Sequence, residues 1–430
     1  MSRAIITEQH LHDIADAIIA KGGATGPMTP AQMPGAIQSI QNGRGEEAVP
    51  KYLNFFDYDG FCLYSFTKEQ ALSLTDLPNP PTHEGLIFQS WNYTLEDIKN
   101  ANCPIDAGAN YITDDGKTRF HFTIPYGQKP YHCLRFVQSV ANGVEVDWGD
   151  GTVETFTETT AVDRYHTYPS AGDYVIKLDV KAGTLSFDGG SASHNVFGPR
   201  QGGHSNVFTR RMRKVEIGAG ITSIPFASFC YMGCRFTISL PTSITSIADY
   251  AFFNSNIKYI VIPRGCSCSG GSTFYGSVNG ISFSATMTAL PSLASSGLTR
   301  VVLPPNVTAT PAGFARGCGN LISFSFNEKI ESIGHTLFYD AVGISIIKFP
   351  KSLLSISTQD FQVSHAYLFD FREHEEIPSL AGINSFQGIQ SDAKIVVPDA
   401  LYDEWIAATN WSDSTIVGHI VKASEYTEAT

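Results

Sequence analysis

The sequence has little positive charge and no long hydrophobic run. Its 430 residues include 29 Lys and Arg against 41 Asp and Glu, which gives a formal net charge of −12. Nucleic-acid-binding proteins need a broad basic face that neutralises phosphates, whereas basic residues cluster here only at positions 210–214. No stretch of about 18 consecutive apolar residues occurs, as a membrane-spanning helix requires. We therefore expect neither a nucleic-acid partner nor a membrane-embedded segment.

Motifs for metal binding and catalysis are also scarce. The 8 cysteines are scattered, without a CxxC pair or a Cys/His metal spacing, and predict reduced thiols rather than a metal site. GxSxG, Walker and GxGxxG motifs do not occur. The charged run Glu373–Glu376 contains carboxylates of the type that glycosidases use in pairs, but consecutive charges on a loop are usually solvated. We expect no catalytic residue and no cofactor.

The first 45 residues predict a helical hairpin. Leu11, Ile14, Ile18 and Ile19 share one face at helical spacing, and a second short helix is predicted over residues 30–41. Such a hairpin is too small to bury its apolar face alone, so we expect it to attach to another copy or another protein. It lacks the unbroken apolar region of a signal peptide, so we expect synthesis in the cytoplasm without a signal peptide.

Residues 51–115 predict a small α+β unit. Two aromatic strand-like segments, residues 52–60 and 61–66, precede predicted helices at residues 67–74 and 94–100. Asp57 and Asp59 lie in a DYDG sequence between the two strands. Asp and Gly accept the backbone angles of a tight hairpin turn, which favours a turn over a catalytic or calcium site.

Residues 117–182 contain short alternating strands that predict an antiparallel sandwich. Three segments, Val146–Gly151, His166–Tyr168 and Ala171–Tyr174, resemble the PKD (polycystic kidney disease) family of immunoglobulin-like domains. The resemblance implies that Trp148 is a core residue, that Asp150 bonds turn amides, and that the unit is a spacer.

An internal repeat occupies residues 209–425. A strand element with apolar outer positions recurs at intervals of 20–26 residues, often followed by proline. This period lies in the range of leucine-rich repeats. The nine elements are Val215–Ile217, Ile238–Leu240, Ile260–Ile262, Ile281–Phe283, Val301–Leu303, Phe324–Phe326, Ile347–Phe349, Phe369–Phe371 and Ile395–Val397.

The remainder of each unit also recurs. Residues Ile244–Phe252 parallel Ile330–Phe338 in the spacing of their apolar side chains. The pattern resembles the BspA-type leucine-rich repeats of bacterial and phage surface proteins, which implies a solenoid. Leu401, Trp405 and Ala408 share a helical face, so we expect a helix that caps the last coil. The predicted fold is therefore multidomain and mainly β.

Candidate binding residues follow from this fold. If the outer residues of each repeat strand face the core, the middle residue faces solvent. The polar middle residues are Glu216, Ser239, Ser282, Ser325, Lys348 and Asp370. They form a flat, weakly charged face that suits a glycan or protein partner, or that is an ordinary solvated sheet. An inserted loop offers Phe274 and Tyr275, although Phe274 also fits the coil core.

The first hundred residues resemble N-terminal modules of tail and baseplate proteins from phages of Gram-positive bacteria. The segments that carry the resemblance are Leu11–Ile18, Met28–Met33, Phe56–Gly60, Thr82–Leu86 and Trp91–Asn92. The resemblance implies a virion tail location with release by lysis, other tail proteins as N-terminal partners, and a homo-oligomer, by analogy a trimer.

Four hypotheses follow for the function. The leading one is a non-enzymatic receptor-binding protein of a phage tail, with repeats that bind a bacterial surface glycan or protein. The others are a structural tail component, a depolymerase or wall hydrolase, and a cell-surface adhesin.

Overall fold

A computed structural model of the protein describes residues 52–187, 194–199, 207–268 and 270–427. The predicted attachment hairpin of residues 1–45 lies outside them and stays a prediction. Within the described ranges, no helix combines the length and the apolar character that crossing a membrane requires. The described part is mainly β, with few helices and a long solenoid of short parallel strands.

The N-terminal module, residues 52–115, packs two short helices on a four-stranded sheet. Its elements are β1 Leu53–Phe56, β2 Cys62–Phe66, α1 Lys68–Ser73, β3 Leu86–Trp91, α2 Leu95–Asn100 and β4 Ile105–Thr113. The strand order is β2-β1-β4-β3. Both helices begin at a threonine capping box, formed by Thr67 with Gln70 and by Thr94 with Asp97, which satisfies backbone N–H groups that a helix start leaves free.

The DYDG segment forms the tight turn between β1 and β2. The amide of Gly60 donates to the carbonyl of Asp57 at 3.0 Å, and Gly60 has a φ of 87°. This left-handed conformation suits glycine because a Cβ would clash with the backbone. The turn interpretation of this segment therefore fits the structure.

The sandwich unit, residues 117–187, contains two facing groups of strands. These are β5 Thr118–Ile124, β6 Tyr131–Gln138, β7 Val144–Asp147, β8 Val153–Thr155, β9 Val162–Thr167, β10 Gly172–Val180 and β11 Leu185–Ser186. Strands β11-β6-β9 form one sheet, and β5-β10-β7-β8 belong to the other. A separate pair, β12 His194–Asn195 and β13 Gly198–Pro199, follows.

Residues of the WGDG turn take the structural roles expected of them. Trp148 is fully buried and stacks on His166 with ring centroids 4.8 Å apart. Asp150 accepts the amide of Thr152 at 3.0 Å and bonds His166 at 2.8 Å. The membership of this unit in the PKD family stays a prediction.

The sandwich unit shares a sheet with the solenoid, and its role as a spacer stays a prediction. Strand β14 (Met212–Glu216), the first strand of the solenoid, pairs antiparallel with β5, so that Val215 lies opposite Phe120. One seven-stranded sheet therefore runs from the sandwich into the solenoid, in the order β18-β16-β14-β5-β10-β7-β8, in which β16 is Arg235–Ser239 and β18 is Asn256–Ile257. The pairing occupies sheet edges that would otherwise leave backbone N–H and C=O groups open.

The solenoid, residues 207–427, places a strand at all nine predicted repeat positions. After β14 these are β16 Arg235–Ser239, β19 Ile260–Val261, β21 Ile281–Ser282, β22 Arg300–Val302, β23 Ser323–Ser325, β25 Ile346–Lys348, β27 Leu368–Asp370 and β29 Lys394–Val397. Pairing between neighbouring repeats is parallel, as between Ile347 and Phe369. The confirmed solenoid thus has the period that the sequence predicts.

A second set of short strands runs along another side of the coils. It comprises β15 Ser223–Ile224, β17 Ser246–Ile247, β20 Ser267–Cys268, β24 Ser332–Ile333, β26 Ser355–Ile356 and β28 Ser379–Leu380. Most pair in parallel from coil to coil, as Ile224 does with Ile247. Core phenylalanines stack along the axis, with 5.6 Å between Phe229 and Phe252 and 5.5 Å between Phe252 and Phe274. One coil alone could not bury these rings, so the coils stabilise each other.

The C-terminal end of the solenoid is closed by aromatic side chains. Helix α3 (Tyr402–Ala407) buries Trp405 completely, against Phe371 and Trp411, while Leu401 and Ala408 pack at the border of this core. A further strand, β30 (Ile420–Lys422), then pairs in parallel with β29. Short 3-10 turns cover Ile383–Phe386, Asp399–Leu401, Val417–His419 and Ala423–Glu425. The sequence predicts the capping helix but not β30.

Candidate binding surfaces

The sheet face is the outward side of the repeat strands, where the predicted binding residues lie. Its N-terminal half is covered. Glu216 is 1% exposed, and Ser239 and Ser282 are fully buried. The prediction that these three side chains face solvent is therefore wrong, because the N-terminal module lies on Ser239 and Ser282, and sandwich strand β5 supplies partners to Glu216.

Asn92 of the module makes the densest set of contacts with the sheet face. Its Nδ2 donates to the carbonyl of Ile262 at 3.1 Å, to Oγ of Ser282 at 2.9 Å and to the carbonyl of Phe283 at 3.0 Å. Its Oδ1 accepts the amide of Gly108 at 2.8 Å. Asn92 is fully buried, so this network replaces the water that both surfaces lose.

Small side chains allow the module backbone to approach the sheet face. Oγ of Ser239 donates to the carbonyl of Tyr111 at 3.2 Å, and Oγ of Ser282 donates to that of Asp106 at 2.6 Å. A Cβ on Gly108 would lie 2.5 Å from a methyl group of Val261, so only glycine fits there. The serines at these middle positions therefore bind the module and not an external partner.

Glu216 fastens the solenoid to the sandwich. Its carboxylate lies 2.9 Å from Nε2 of His121, 2.5 Å from Nζ of Lys214 and 3.6 Å from Arg119. Burial acts to raise the pKa of Glu216, but hydrogen bonds from His121 and Lys214 outweigh it and hold the pKa at about 2. The carboxylate has enough partners within the chain to be structural.

The C-terminal half of the sheet face is open only in part. Lys348 is exposed and Ser325 is half-buried, as predicted. Asp370 is 8% exposed, because the Arg372 guanidinium covers it with contacts of 2.9 and 2.8 Å. The expectation of a solvent-facing Asp370 is wrong, and the open window reduces to Ser325 and Lys348.

The two candidate loop residues differ in exposure. Phe274 belongs to the coil core and has no exposed surface, whereas Tyr275 is 37% exposed. Tyr275 is one of five partly exposed rings, which we name the aromatic ladder: Phe226, Tyr231, Tyr250, Phe253 and Tyr275. Ring centroids lie 5.3 Å apart for Phe226 and Tyr250, 4.8 Å for Tyr250 and Phe253, 5.3 Å for Phe253 and Tyr275, and 5.4 Å for Tyr231 and Phe253.

The repeat brings the ladder together. Residues that follow the buried core phenylalanine in successive coils lie side by side, since the amide of Asn254 donates to the carbonyl of Tyr275 at 2.8 Å. The sequence signal was available in the doublets Phe252–Phe253 and Phe274–Tyr275, in which the first ring enters the core and the second stays outside. Sequence reasoning found only the last ring of the ladder.

The side chains of the charged run Glu373–Glu376 differ in burial. Glu373, Glu375 and Glu376 are exposed, whereas His374 is buried, and burial lowers the pKa of its imidazole to about 4. Over the part of the chain that the structure describes, no group of three or more His, Cys, Asp and Glu side chains could hold a metal ion.

Comparisons with known proteins identify the repeats. Residues 205–311 and 279–368 match the model of the BspA-type leucine-rich repeat region, in 6 copies. The chain therefore carries BspA-type leucine-rich repeats. No curated protein matches the sequence.

Two solved structures are similar to part of the chain. One is a leucine-rich cell surface protein from Faecalibacterium prausnitzii A2-165, with 15% identity, a TM-score of 0.29, and coverage of 48% of this chain and 64% of that one. The other is a leucine-rich repeat protein from Bacteroides ovatus ATCC 8483, with 15% identity, a TM-score of 0.21, and coverage of 48% and 76%. The match thus spans less than two thirds of the first protein.

Proposed function

We propose that this chain is a non-enzymatic adhesion protein whose repeats bind a bacterial surface glycan through the aromatic ladder. The BspA-type repeats favour a binding role over a catalytic one. The observation that carries the proposal is the continuous row of partly exposed rings, with Phe226 at 38% and Tyr275 at 37% exposure.

The ladder has the properties that a sugar-binding surface needs. A sugar ring has an apolar C–H face and polar edges, and a tyrosine ring combines an apolar body with a polar hydroxyl. The five rings are fixed by contacts between coils, so little side-chain freedom is lost on binding. Much of the sheet face is unavailable because the N-terminal module covers it, whereas the rings of the ladder keep exposed surface.

Cell binding with matched tyrosine variants tests this role. Labelled full-length protein is added to a panel of Gram-positive cells, before and after surface glycans are stripped. We expect strain-selective binding that stripping abolishes, and a loss of roughly tenfold or more in Tyr275→Ala, as for an aromatic side chain that carries much of the binding energy. Tyr126, which is 97% exposed in the sandwich unit, supplies the control Tyr126→Ala, which should bind normally. Binding that survives stripping would indicate a protein receptor, and normal binding by Tyr275→Ala would contradict the ladder.

The location that we propose is a phage tail. The support is the resemblance of the first hundred residues to phage tail and baseplate modules, and the tail proteins would be the partners of residues 1–45. The protein would act there as a homo-oligomer, a trimer by analogy with tail fibres.

Deletion of residues 1–45 tests this location. The deletion should abolish incorporation into particles while cell binding by the purified protein persists. Unchanged incorporation would contradict the anchoring role. If the full-length protein is also absent from particles while its selective cell binding is intact, a cell-surface adhesin is favoured instead. Incorporation without binding to any strain would favour a structural tail component.

A further inference from the structure

A cleft of about 270 Å³ opens where the N-terminal module meets the first coils of the solenoid. The module contributes Asp59 and Asp106, and the solenoid contributes Arg235, Lys258 and Arg300. It is a separate place from the aromatic ladder, because none of the five ladder rings lines it. Five charged side chains thus converge on a space of monosaccharide size.

The charges of the cleft do not cancel. Nζ of Lys258 lies 2.9 Å from Asp59, and Arg300 makes a two-pronged contact with Asp106 at 2.8 and 3.2 Å. Arg235 is exposed, and among the described residues its guanidinium has no acidic partner. Three cations against two carboxylates leave one positive charge for a ligand.

Hydrogen-bond donors also remain for a ligand. An ammonium group has three N–H donors and a guanidinium has five. Lys258 directs one contact to Asp59, and Arg300 uses Nε and one terminal nitrogen on Asp106. Oδ1 of Asp106 also accepts a hydrogen bond from Nδ2 of Asn54 at 2.8 Å, so this carboxylate is held in place. The paired cations can therefore also donate to an incoming anion.

One wall of the cleft is apolar and rigid. The rings of Phe56 and Tyr259 stack with centroids 5.3 Å apart. Glycines enclose Tyr259 tightly, because a Cβ would lie 2.7 Å from its ring at Gly60 and 2.4 Å at Gly280. The wall is therefore formed before any ligand binds, which reduces the entropy lost on binding.

We infer that this cleft binds a single anionic sugar unit, with a carboxylate or phosphate on Arg235 and the sugar ring against the partly exposed Phe56, which the buried Tyr259 supports from behind. Its volume lies near the lower end of ligand pockets, about 300–1,000 Å³, which suits one hexose. A long polyanion fits less well, because the chain as a whole carries a net charge of −12 and would repel it. The acidic group of such a sugar is commonly a carboxylate or a phosphate, and sugars of both kinds are to be compared.

Titration calorimetry of the full-length protein tests this site. The probes are glucuronic acid, glucose 6-phosphate and neutral glucose. We expect saturable binding of at least one acidic sugar and a much weaker response to glucose. In Arg235→Gln the affinity should fall by roughly tenfold or more, because hydrogen bonds between two charged groups are among the stronger ones. Arg213, which is exposed and does not line the cleft, supplies the matched control Arg213→Gln, which should bind as the wild type does.

The outcomes separate this site from the ladder. Preference for one acidic sugar identifies carboxylate or phosphate as the recognised group. Three results would overturn the inference. The first is equal binding of glucose, the second is no binding of either acidic sugar at 10 mM, about the weakest affinity that a specific site would have, and the third is unchanged affinity in Arg235→Gln. Tyr275→Ala should leave these titrations unchanged, so failure here does not bear on cell adhesion through the ladder.

Discussion

Substitution of Asn92 should lower the free energy of unfolding more than the small size of this side chain suggests. Asn92→Ala removes the donor to the carbonyls of Ile262 and Phe283 and leaves the amide of Gly108 without its acceptor. A typical hydrogen bond contributes about 1 kcal/mol net, and a buried group left unpaired costs about 1–3 kcal/mol. The expected loss in free energy of unfolding is therefore about 3 kcal/mol.

Asn92→Asp separates hydrogen bonding from packing. Aspartate has nearly the same shape, but it places an acceptor where the Nδ2 group faces two carbonyl oxygens and a hydroxyl. If hydrogen bonding holds the module on the sheet face, Asn92→Asp destabilises the protein at pH 7 at least as much as Asn92→Ala. If side-chain volume alone matters, Asn92→Asp behaves like the wild type.

Urea denaturation of the full chain measures both effects. Fluorescence of the 4 tryptophans, of which Trp91 (4% exposed) lies in the module, reports on the burial of their rings, and circular dichroism reports on the strands of the whole chain. Exposed Asn79 supplies the control Asn79→Ala, which should unfold at the wild-type midpoint. Wild-type midpoints for both Asn92 variants would refute the account of how the module docks.

Two buried carboxylates predict opposite dependences of stability on pH. Burial raises the pKa of Asp360 to about 8, so the folded protein holds a proton that the unfolded chain releases near pH 4, and stability falls as pH rises from about 4 to 8. Between pH 5 and 8 this fall in the free energy of unfolding is on the order of 4 kcal/mol, and Asp360→Asn should remove it in thermal unfolding experiments. If the stability of Asp360→Asn depends on pH as that of the wild type does, the prediction is contradicted. Glu216, with a folded pKa of about 2, should stabilise the protein above pH 4.5 and lose this effect as pH falls to about 2. Glu216→Gln should cost on the order of 2–3 kcal/mol at pH 7, and an equal cost at pH 2.5 would count against the ion cluster.

The repeat strands could be predicted because their signal is local and periodic. Two apolar positions flank each middle residue, and a period in the low twenties repeats them nine times. The caps and turns were equally local: Thr67 and Thr94 start helices, and Asp150 bonds its own turn. Trp405 could be assigned to the end of the solenoid because the last coil must be covered.

The covering of the sheet face could not be predicted in the same way. Asn92 and Ser282 are 190 positions apart in the sequence. Alternation along a strand shows which side chains point away from the core, but it does not show whether another part of the chain packs on them. The sequence held one hint of this covering. The middle residues Ser239 and Ser282 are small, whereas Lys348 further along is long and charged, and only small side chains allow another backbone to approach. Strand β30 was missed because Lys422 occupies an outer position that is apolar in the nine repeat strands, although its spacing from Val397 fits the repeat period.

Hydrogen exchange with a bound glycan locates the binding surface on the solenoid. Full-length protein would be compared with and without surface glycan released from a strain that it binds. The account predicts added protection of amides in residues 226–231, 250–254 and 275, together with no change at Ser239 and Ser282, which the module already covers. Protection confined to Ser325 and Lys348, or loss of protection at Ser282 as the module opens, would contradict binding through the aromatic ladder.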